Sequence, residues 1–398
     1  MNILIFNDQA AIPFLGGIER VSDIMANELP SHGYNIFILA IIAPNKNLHY
    51  THASNTYYLP NPKQIDSNEN LAYVINLIRS LQINVLLNQR GVNLPMFSLC
   101  LKVKKKTSIR LISQLHHSPD ISQISLNSFL YFSPLQSEKS IAKRFSQFKH
   151  ILFLPYHKFR AHLRDQKIYT NVAKNSDAII LLSDKFIPLF YRHSKVQARI
   201  VIIPNPLSYD TTDQIDYTNN KKKIVLYVGR LSLRDKRPDW LLQVWKEIEV
   251  DYPEWKLIFI GDGEYKADLE EYSARNNLQN VHFLGALNPA PFYQESTILC
   301  LTSISEGFGL VLTEAAQFGN LLMAFACTPA MSDMISEGVN GFLVSPYSIQ
   351  EYSTKLRRLM DIYGSNQHKY MMEQSQKMTY KYKKEIIINQ WAKLFQSL

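Results

Sequence analysis

The order of strand-like and helix-like segments restricts this chain more than any other feature. Short apolar runs alternate with stretches whose apolar residues fall at helical spacing, and the alternation breaks once and then restarts. In the first half Asn2–Phe6, Tyr34–Ile42, Ile83–Leu87, Ile109–Leu115, Ala178–Ser183 and Ile200–Ile203 read as strands. Between the first two, Ile18, Val21, Ile24, Met25 and Leu29 share a helical face that His32-Gly33 closes. Pro204–Lys223, with Pro206 and the polar run Thr211–Asn220, reads as a linker and hinge. Beyond it Ile224–Val228, Lys256–Ile260, Val281–Leu284, Thr297–Thr302 and Leu321–Phe325 read as strands, and Asp239–Ile248, Ala267–Asn276 and Leu310–Phe318 as helices. Strands joined through helices pair in parallel and are covered on both faces. The predicted class is therefore α/β, with two Rossmann-like, doubly wound parallel-sheet domains, 1–205 and 206–383, facing a central cleft. A last helix, Lys384–Leu398, carries Ile387, Trp391, Leu394 and Phe395 at helical spacing and is expected to pack back toward the first domain.

A chain of 398 residues, 46% hydrophobic and 19% charged, has apolar material for two cores and is unlike a disordered one. Cys100, Cys300 and Cys327 are far apart in apolar contexts, which predicts buried thiols, not metal ligands or disulfides. The first residues lack the basic start of a signal peptide, and no apolar run reaches bilayer-spanning length, so a cytoplasmic location is expected. The net charge of +9 is uneven: residues 1–200 carry 23 Lys and Arg against 11 Asp and Glu, and residues 201–398 carry 20 against 23. The excess is densest over 139–174, where Lys143, Arg144, Lys149, Lys158, Arg160, Arg164 and Lys167 alternate with aromatic and aliphatic residues. That pattern fits equally an anionic membrane surface and a solvated helix face packing its aromatics inward. No nucleic-acid motif accompanies the charge, which argues against that partner.

In open parallel sheets, ligands bind beyond the carboxyl ends of the strands, where helix N-termini offer unpaired N–H groups. The glycine-containing loops fall there. Gly16-Gly17 follows the first strand, Gly229-Arg230 follows Ile224–Val228, Gly261-Asp262-Gly263 follows Lys256–Ile260, and Ser305-Glu306-Gly307-Phe308-Gly309 follows Thr297–Thr302. Each alone reads as well as a turn; their coincidence at the strand ends carries the signal. Arg230 and Lys236 suit a diphosphate and the charge that grows on it as a sugar–phosphate bond breaks, whereas Arg234 and Arg237 read as solvated loop cations. Glu306 is expected at the mouth of the following helix and Glu314 two turns down the same side, a pair able to hold hydroxyls at two ends of an extended ligand.

The segment Ser305-Glu306-Gly307-Phe308-Gly309-Leu310-Val311-Leu312-Thr313-Glu314-Ala315 resembles the signature, two glutamates separated by seven residues, of the retaining glycosyltransferases of family 4, glycosyl transferases group 1, which have the GT-B fold. The resemblance extends to Gly16-Gly17-Ile18-Glu19-Arg20, Val228-Gly229-Arg230 with Lys236, Ile260-Gly261-Asp262-Gly263, Val281-His282-Phe283-Leu284-Gly285 and Gly338-Val339-Asn340-Gly341, in the family's order. It implies that Glu314 binds the ribose of a nucleotide-sugar, that Glu306 contacts its hexose, and that the Phe308, Gly309 and Leu310 amides hold sugar and phosphate. Arg230 and Lys236 would neutralise the diphosphate, Gly17 would close over it, and Leu284-Gly285 would face the base. In Leu115-His116-His117-Ser118-Pro119, His116 resembles the family's histidine near the transferred sugar, with His117 the alternative. A proline common after the position of Gly319 is replaced by Asn320-Leu321.

The implied activity is transfer of a hexose or related sugar, with a UDP-sugar favoured as donor, to a saccharide or lipid-linked saccharide in building bacterial surface polysaccharide at the inner membrane face. Retention without a firmly placed protein nucleophile would demand positioning and charge stabilisation above all. No acidic metal motif occurs, so no metal and no cofactor beyond the donor is expected. The glycine pattern of a dinucleotide dehydrogenase is absent after the first strand, where Asn7-Asp8-Gln9-Ala10 stands. A nucleotide-sugar epimerase or hydrolase of the same fold, and a catalytically silent scaffold, remain as alternatives.

Overall fold

The computed structural model describes residues 1–44, 51–127, 135, 151–210 and 220–398, which form two compact units. The first comprises Met1–Pro119, His162–Ser208 and Tyr382–Leu398; the second comprises Asp120–Ala161 and Tyr209–Lys381. Residues 211–219 of the sequence-predicted hinge, and the basic residues Lys143, Arg144 and Lys149, lie outside the described residues.

The first part of the chain runs β1 (Asn2–Gln9), α1 (Gly17–Glu28), β2 (Asn35–Ile42), β3 (Thr56–Tyr58), α2 (Asn68–Ser80), β4 (Val85–Asn88), α3 (Leu94–Lys106), β5 (Arg110–Leu115), α4 (Ile121–Asn127), α5 (Leu154–Asn175), β6 (Ala178–Leu181), α6 (Ile187–His193) and β7 (Ile200–Ile202). The strands pair in parallel in the order β3-β2-β1-β4-β5-β6-β7. Helices on both faces bury the central strands completely, which is why they read as unbroken apolar runs and not as alternating ones. Ile3, Leu4 and Ile5 have no exposed surface. Ser67 and Asn93 begin α2 and α3 by accepting from the amides three residues on, satisfying donors that no helical carbonyl reaches.

The second unit continues with β8 (Lys222–Val228), α7 (Pro238–Ile248), β9 (Lys256–Ile260), α8 (Lys266–Arg275), β10 (Val281–Phe283), α9 (Ala290–Glu295), β11 (Ser296–Leu301), α10 (Leu310–Gln317), β12 (Leu321–Phe325), β13 (Gly341–Val344), α11 (Ile349–Asp361) and α12 (Asn366–Thr379). Its sheet is parallel too, in the order β10-β9-β8-β11-β12-β13. Counted from its first strand this is 3-2-1-4-5-6, the doubly wound order in which the chain reverses direction between strands one and four. The reversal falls between β8 and β11 here and between β1 and β4 in the first unit. β3 and β13, both at sheet edges, are strands beyond those the apolar pattern predicts. Cys100, Cys300 and Cys327 are buried free thiols.

The closing helix, α13 (Lys384–Gln396), belongs to the first unit. Ile387, Ile388, Trp391, Leu394 and Phe395 are its buried stripe. The Phe395 ring lies 5.3 Å from that of Tyr34, whose hydroxyl donates to the Ala392 carbonyl at 3.1 Å. Trp391 is 1% exposed and is the only tryptophan of its unit, so it weighs heavily in that junction. Trp391→Ala should destabilise the protein by about 3–5 kcal/mol, the usual cost of truncating a buried aromatic; an unchanged urea midpoint by circular dichroism would mean that α13 is dispensable packing.

Candidate functional site

The loops at the strand-order reversal of the second unit bring together most of the residues singled out from sequence. Gly229 and Arg230 leave β8, Gly261 leaves β9, Leu284 and Gly285 leave β10, and Glu306 lies on the loop between β11 and α10. The turns are stacked through their backbones: Gly229 N–H donates to Ile260 O at 3.0 Å, Leu231 N–H to Asp262 O at 2.9 Å, and Gly261 N–H to Gly285 O at 2.8 Å. Only glycine fits such a layer, since a Cβ on Gly261 would stand 1.9 Å from Gly229 O, at a φ of 142°. Arg230 is exposed, as is Arg234.

Lys236 and Glu306 meet. The Lys236 Nζ donates to Glu306 Oε1 at 2.6 Å, and Ser303 Oγ donates to the same oxygen at 2.6 Å. Their side chains are 26% and 10% exposed. Burial alone would lower the lysine's pKa, but the charge and hydrogen bond of Glu306, with help from Asp235, outweigh it and raise the value, so the ammonium stays charged.

The backbone beside Lys236 is clamped. Thr302 Oγ1 donates to the Arg237 carbonyl at 2.8 Å and lies 3.2 Å from that of Lys236, while Ile304 N–H donates to Asp235 O at 2.8 Å. Arg237 corrects the expectation of a solvated loop cation: it is 2% exposed, has a left-handed φ of 48°, bonds Asp239 through two nitrogens at 2.9 Å, and lays its guanidinium 3.8 Å over the Trp240 ring. It anchors the first turn of α7 and thereby the position of Lys236.

α10 starts at Gly309, whose φ of 77° is open to glycine at little cost and turns the chain from the Glu306 loop into the helix. Its first amides, Phe308 to Leu310 at the approach, form a helix N-terminus suited to an anion. Glu314 sits one turn inside α10 and is 1% exposed. Tyr293 Oη donates to its Oε2 at 3.0 Å, and the Tyr293 carbonyl accepts from Lys221 Nζ at 2.8 Å. The supporting residues Ser303, Thr302, Tyr293 and Arg237 were missed by reading motifs; polar residues at the very end of an apolar strand, as in Thr302-Ser303, were the one available signal.

The first unit carries the rest. Gly16 precedes α1 and Gly17 opens it. The Glu19 carboxyl is buried under Gly16, which raises its pKa. His116 and His117 follow β5; His116 Nε2 lies 2.5 Å from Gln89 Oε1, and His117 Nδ1 lies 3.1 Å from Ser118 O. Burial first, then Arg90 and His117, pushes the His116 pKa down to about 3, so the half-buried ring is neutral at physiological pH. His117 is shifted down as well, chiefly by burial. Among the described residues no three His, Cys, Asp or Glu side chains gather as a metal site, and no helix is long and apolar enough to cross a membrane.

The family model for glycosyl transferases group 1 matches residues 209–378. An uncharacterized glycosyltransferase of Haemophilus influenzae is 26% identical over 388 residues, 94% of this chain and 95% of that protein. A lipopolysaccharide 1,6-galactosyltransferase of Salmonella typhimurium is 28% identical over 175 residues, covering 42% of this chain and 48% of its own. Among solved structures, the apo form of the lipopolysaccharide outer core galactosyltransferase WaaB superposes with a TM-score of 0.67 at 20% identity, and Anabaena HepE in complex with UDP and glucose with 0.72 at 17%, each covering the whole of both chains. Residues 209–378 thus belong to the glycosyl transferases group 1, and the chain is a glycosyltransferase of the GT-B fold.

Proposed function

We propose that this glycosyltransferase moves a hexose or related sugar from a UDP-sugar to a saccharide or lipid-linked saccharide acceptor, with retention of configuration, in the manner of family 4. The observation that carries the reading is the charged Lys236, held against Glu306 where the strand order of the second unit reverses and α10 begins. A diphosphate there would meet a fixed ammonium, the exposed Arg230 and the amides from Phe308 to Leu310. These are the donors needed where negative charge grows as the sugar–phosphate bond breaks. Glu306 would accept from sugar hydroxyls and Glu314, steadied by Tyr293, from the ribose, while Gly229, Gly261 and Gly263 let the backbone approach and Leu284-Gly285 faces the base. Gly16, Gly17 and His116 are assigned to the same reaction from the first unit. The proton of the attacking hydroxyl would go to the departing phosphate, so no protein nucleophile and no metal takes part.

A surface-polysaccharide acceptor draws support from relatives named for lipopolysaccharide and amylovoran synthesis. A lipid-linked acceptor would bring the enzyme to an anionic inner membrane face. α5 fits that surface, exposing Tyr156, Phe159 and Leu163 beside Lys158, Arg160 and Arg164.

Three measurements test the reading. Glu306→Gln and Lys236→Ala should each cut glycoside formation by about 10²- to 10³-fold with unchanged circular dichroism; wild-type turnover, or free or epimerised sugar as the sole product, would sink the assignment. In a thermal-shift panel, UDP and UDP-sugars should raise the melting temperature by several degrees, equally with and without EDTA, since binding at a hundredfold excess over Kd adds about 2.7 kcal/mol. A panel in which only GDP compounds or only metal-loaded samples respond would redirect it. Replacing Lys158, Arg160 and Arg164 together by glutamine should lower partitioning onto phosphatidylserine vesicles by about 10²-fold, at about 1 kcal/mol per charge; unchanged sedimentation would remove α5 from the membrane argument.

A further inference from the structure

The carboxyl ends of β1, β4 and β5 carry a chain of neutral polar side chains that the transfer reaction, as described, leaves unused. Asn7 lies in β1, Ser22 in α1 and Gln89 directly after β4; each is 0% exposed. An amide sealed from water costs stability for each donor or acceptor left unpaired, and in this chain of side chains Asn7 Nδ2 is the one such atom. Gln89 Nε2 donates to Ser22 Oγ at 3.3 Å and touches Met25 Sδ at 3.9 Å, Ser22 Oγ donates to Asn7 Oδ1 at 3.3 Å, and Gln89 Oε1 faces His116 Nε2 at 2.5 Å.

The direction of this chain fixes a proton. A hydroxyl has one hydrogen, and that of Ser22 points to Asn7, so Ser22 receives from Gln89 and does not give to it. The amide nitrogen of Gln89 is committed to Ser22, so its carbonyl oxygen is the atom left for the imidazole. A carbonyl only accepts; the hydrogen between Gln89 and His116 belongs to Nε2 of the histidine. A neutral imidazole carries a single N–H, which leaves Nδ1 with a bare lone pair.

We propose that Gln89 is a positioning residue, which holds His116 as the Nε2–H tautomer and makes Nδ1 a hydrogen-bond acceptor for a sugar hydroxyl. The inference rests on the transferase reading only for the hydroxyl; the tautomer stands on the geometry of the first unit alone. Arg90 and His117, the charged and titratable groups that bear on the ring, both disfavour its protonation. Arg90 in turn is engaged by Asp8 at 2.5 Å.

Long-range proton–nitrogen NMR of histidine-labelled enzyme decides the pairing, with His116→Gln used to assign the ring. The wild type should show His116 as neutral Nε2–H from pH 5 to 8, and Gln89→Leu should release it to mixed tautomers. A protonated ring, an Nδ1–H ring or an averaged one in the wild type overturns the proposal, whatever the activity. Gln89→Leu should also lower the rate of UDP release from UDP-glucose, UDP-galactose or UDP-N-acetylglucosamine by about three- to tenfold, the worth of one orienting hydrogen bond, with KM nearly unchanged. Gln89→Glu should keep the tautomer but add an acid limb to the pH–rate profile, because a carboxylate beside the ring raises its pKa and protonation removes the Nδ1 acceptor. If both variants, and His116→Gln, turn over like wild type, the hydroxyl role falls while the donor site of the second unit stands. A wild type that forms no glycoside from any donor refutes the transferase reading and leaves the NMR result to judge the pairing.

Discussion

A lysine that water reaches over only a quarter of its side chain has to be kept charged, and the second unit is arranged around that requirement. Removing an ammonium from water is costly unless a counter-charge and hydrogen bonds replace its hydration. Glu306 supplies both, and its own oxygen is shared with Ser303, so neither partner relies on a mobile surface chain. The backbone that presents Lys236 is fixed by Thr302 from the next strand and by the sealed Arg237–Asp239 pair under Trp240. Such an arrangement has its dipoles in place before a ligand arrives, which spares the reorganisation that solvent would need around a developing anion.

The two units share a winding order yet furnish their strand ends with different groups. In the second, full charges and a helix N-terminus collect beside the reversal between β8 and β11. In the first, the reversal between β1 and β4 holds buried amides and a hydroxyl beside a charge-balanced Asp8–Arg90 pair, and the histidine there is kept neutral. The difference cannot come from the fold, which is the same; it comes from the few residues that follow each strand. A diphosphate asks for cations, whereas a sugar offers only hydroxyls, for which neutral donors and acceptors of fixed direction discriminate better than a charge does.

The alternation of elements was legible because helices cover both faces of each sheet: a strand buried on two sides is apolar through its sealed middle, as Ile3–Phe6 of β1, Leu257–Ile260 of β9, Ile298–Leu301 of β11 and Leu321–Phe325 of β12 are. The two strands that escaped have physical reasons to do so. β3 has only three residues, at an edge, and β13 begins on Gly341, which in isolation reads as part of a turn. The motif residues were legible by type and spacing, Lys236 and Glu306 among them. Arg237 was misread because its burial depends on a left-handed backbone and a ring that only folding brings over it. Placing Glu314 two turns below Glu306 on the same side counted eight residues of helical spacing, whereas Gly309 is left-handed and helical spacing holds only from Leu310.

What the sequence hid most completely were the holders: Ser303 and Thr302 for the Lys236–Glu306 pair, Tyr293 for Glu314, Gln89 for His116. None forms a motif with its partner, and Gln89 lies 27 residues from its histidine. Thr302, Ser303 and Gln89 nevertheless share an address, whereas Tyr293 reaches Glu314 from α9. Thr302 and Ser303 are the first two residues after β11, and Gln89 is the first after β4, each strand pairing with the neighbour that bears the group being held, or with the loop that follows it. In a parallel sheet adjacent strands end side by side, so the residue just past one strand is delivered to the loop of the next. A polar side chain at that position sits at the rim of the core, where leaving it unpaired would be costly and pairing it with a neighbouring loop costs little chain entropy. The partners of a site at such a reversal are therefore to be sought one or two residues beyond the neighbouring strands, whatever their distance in sequence.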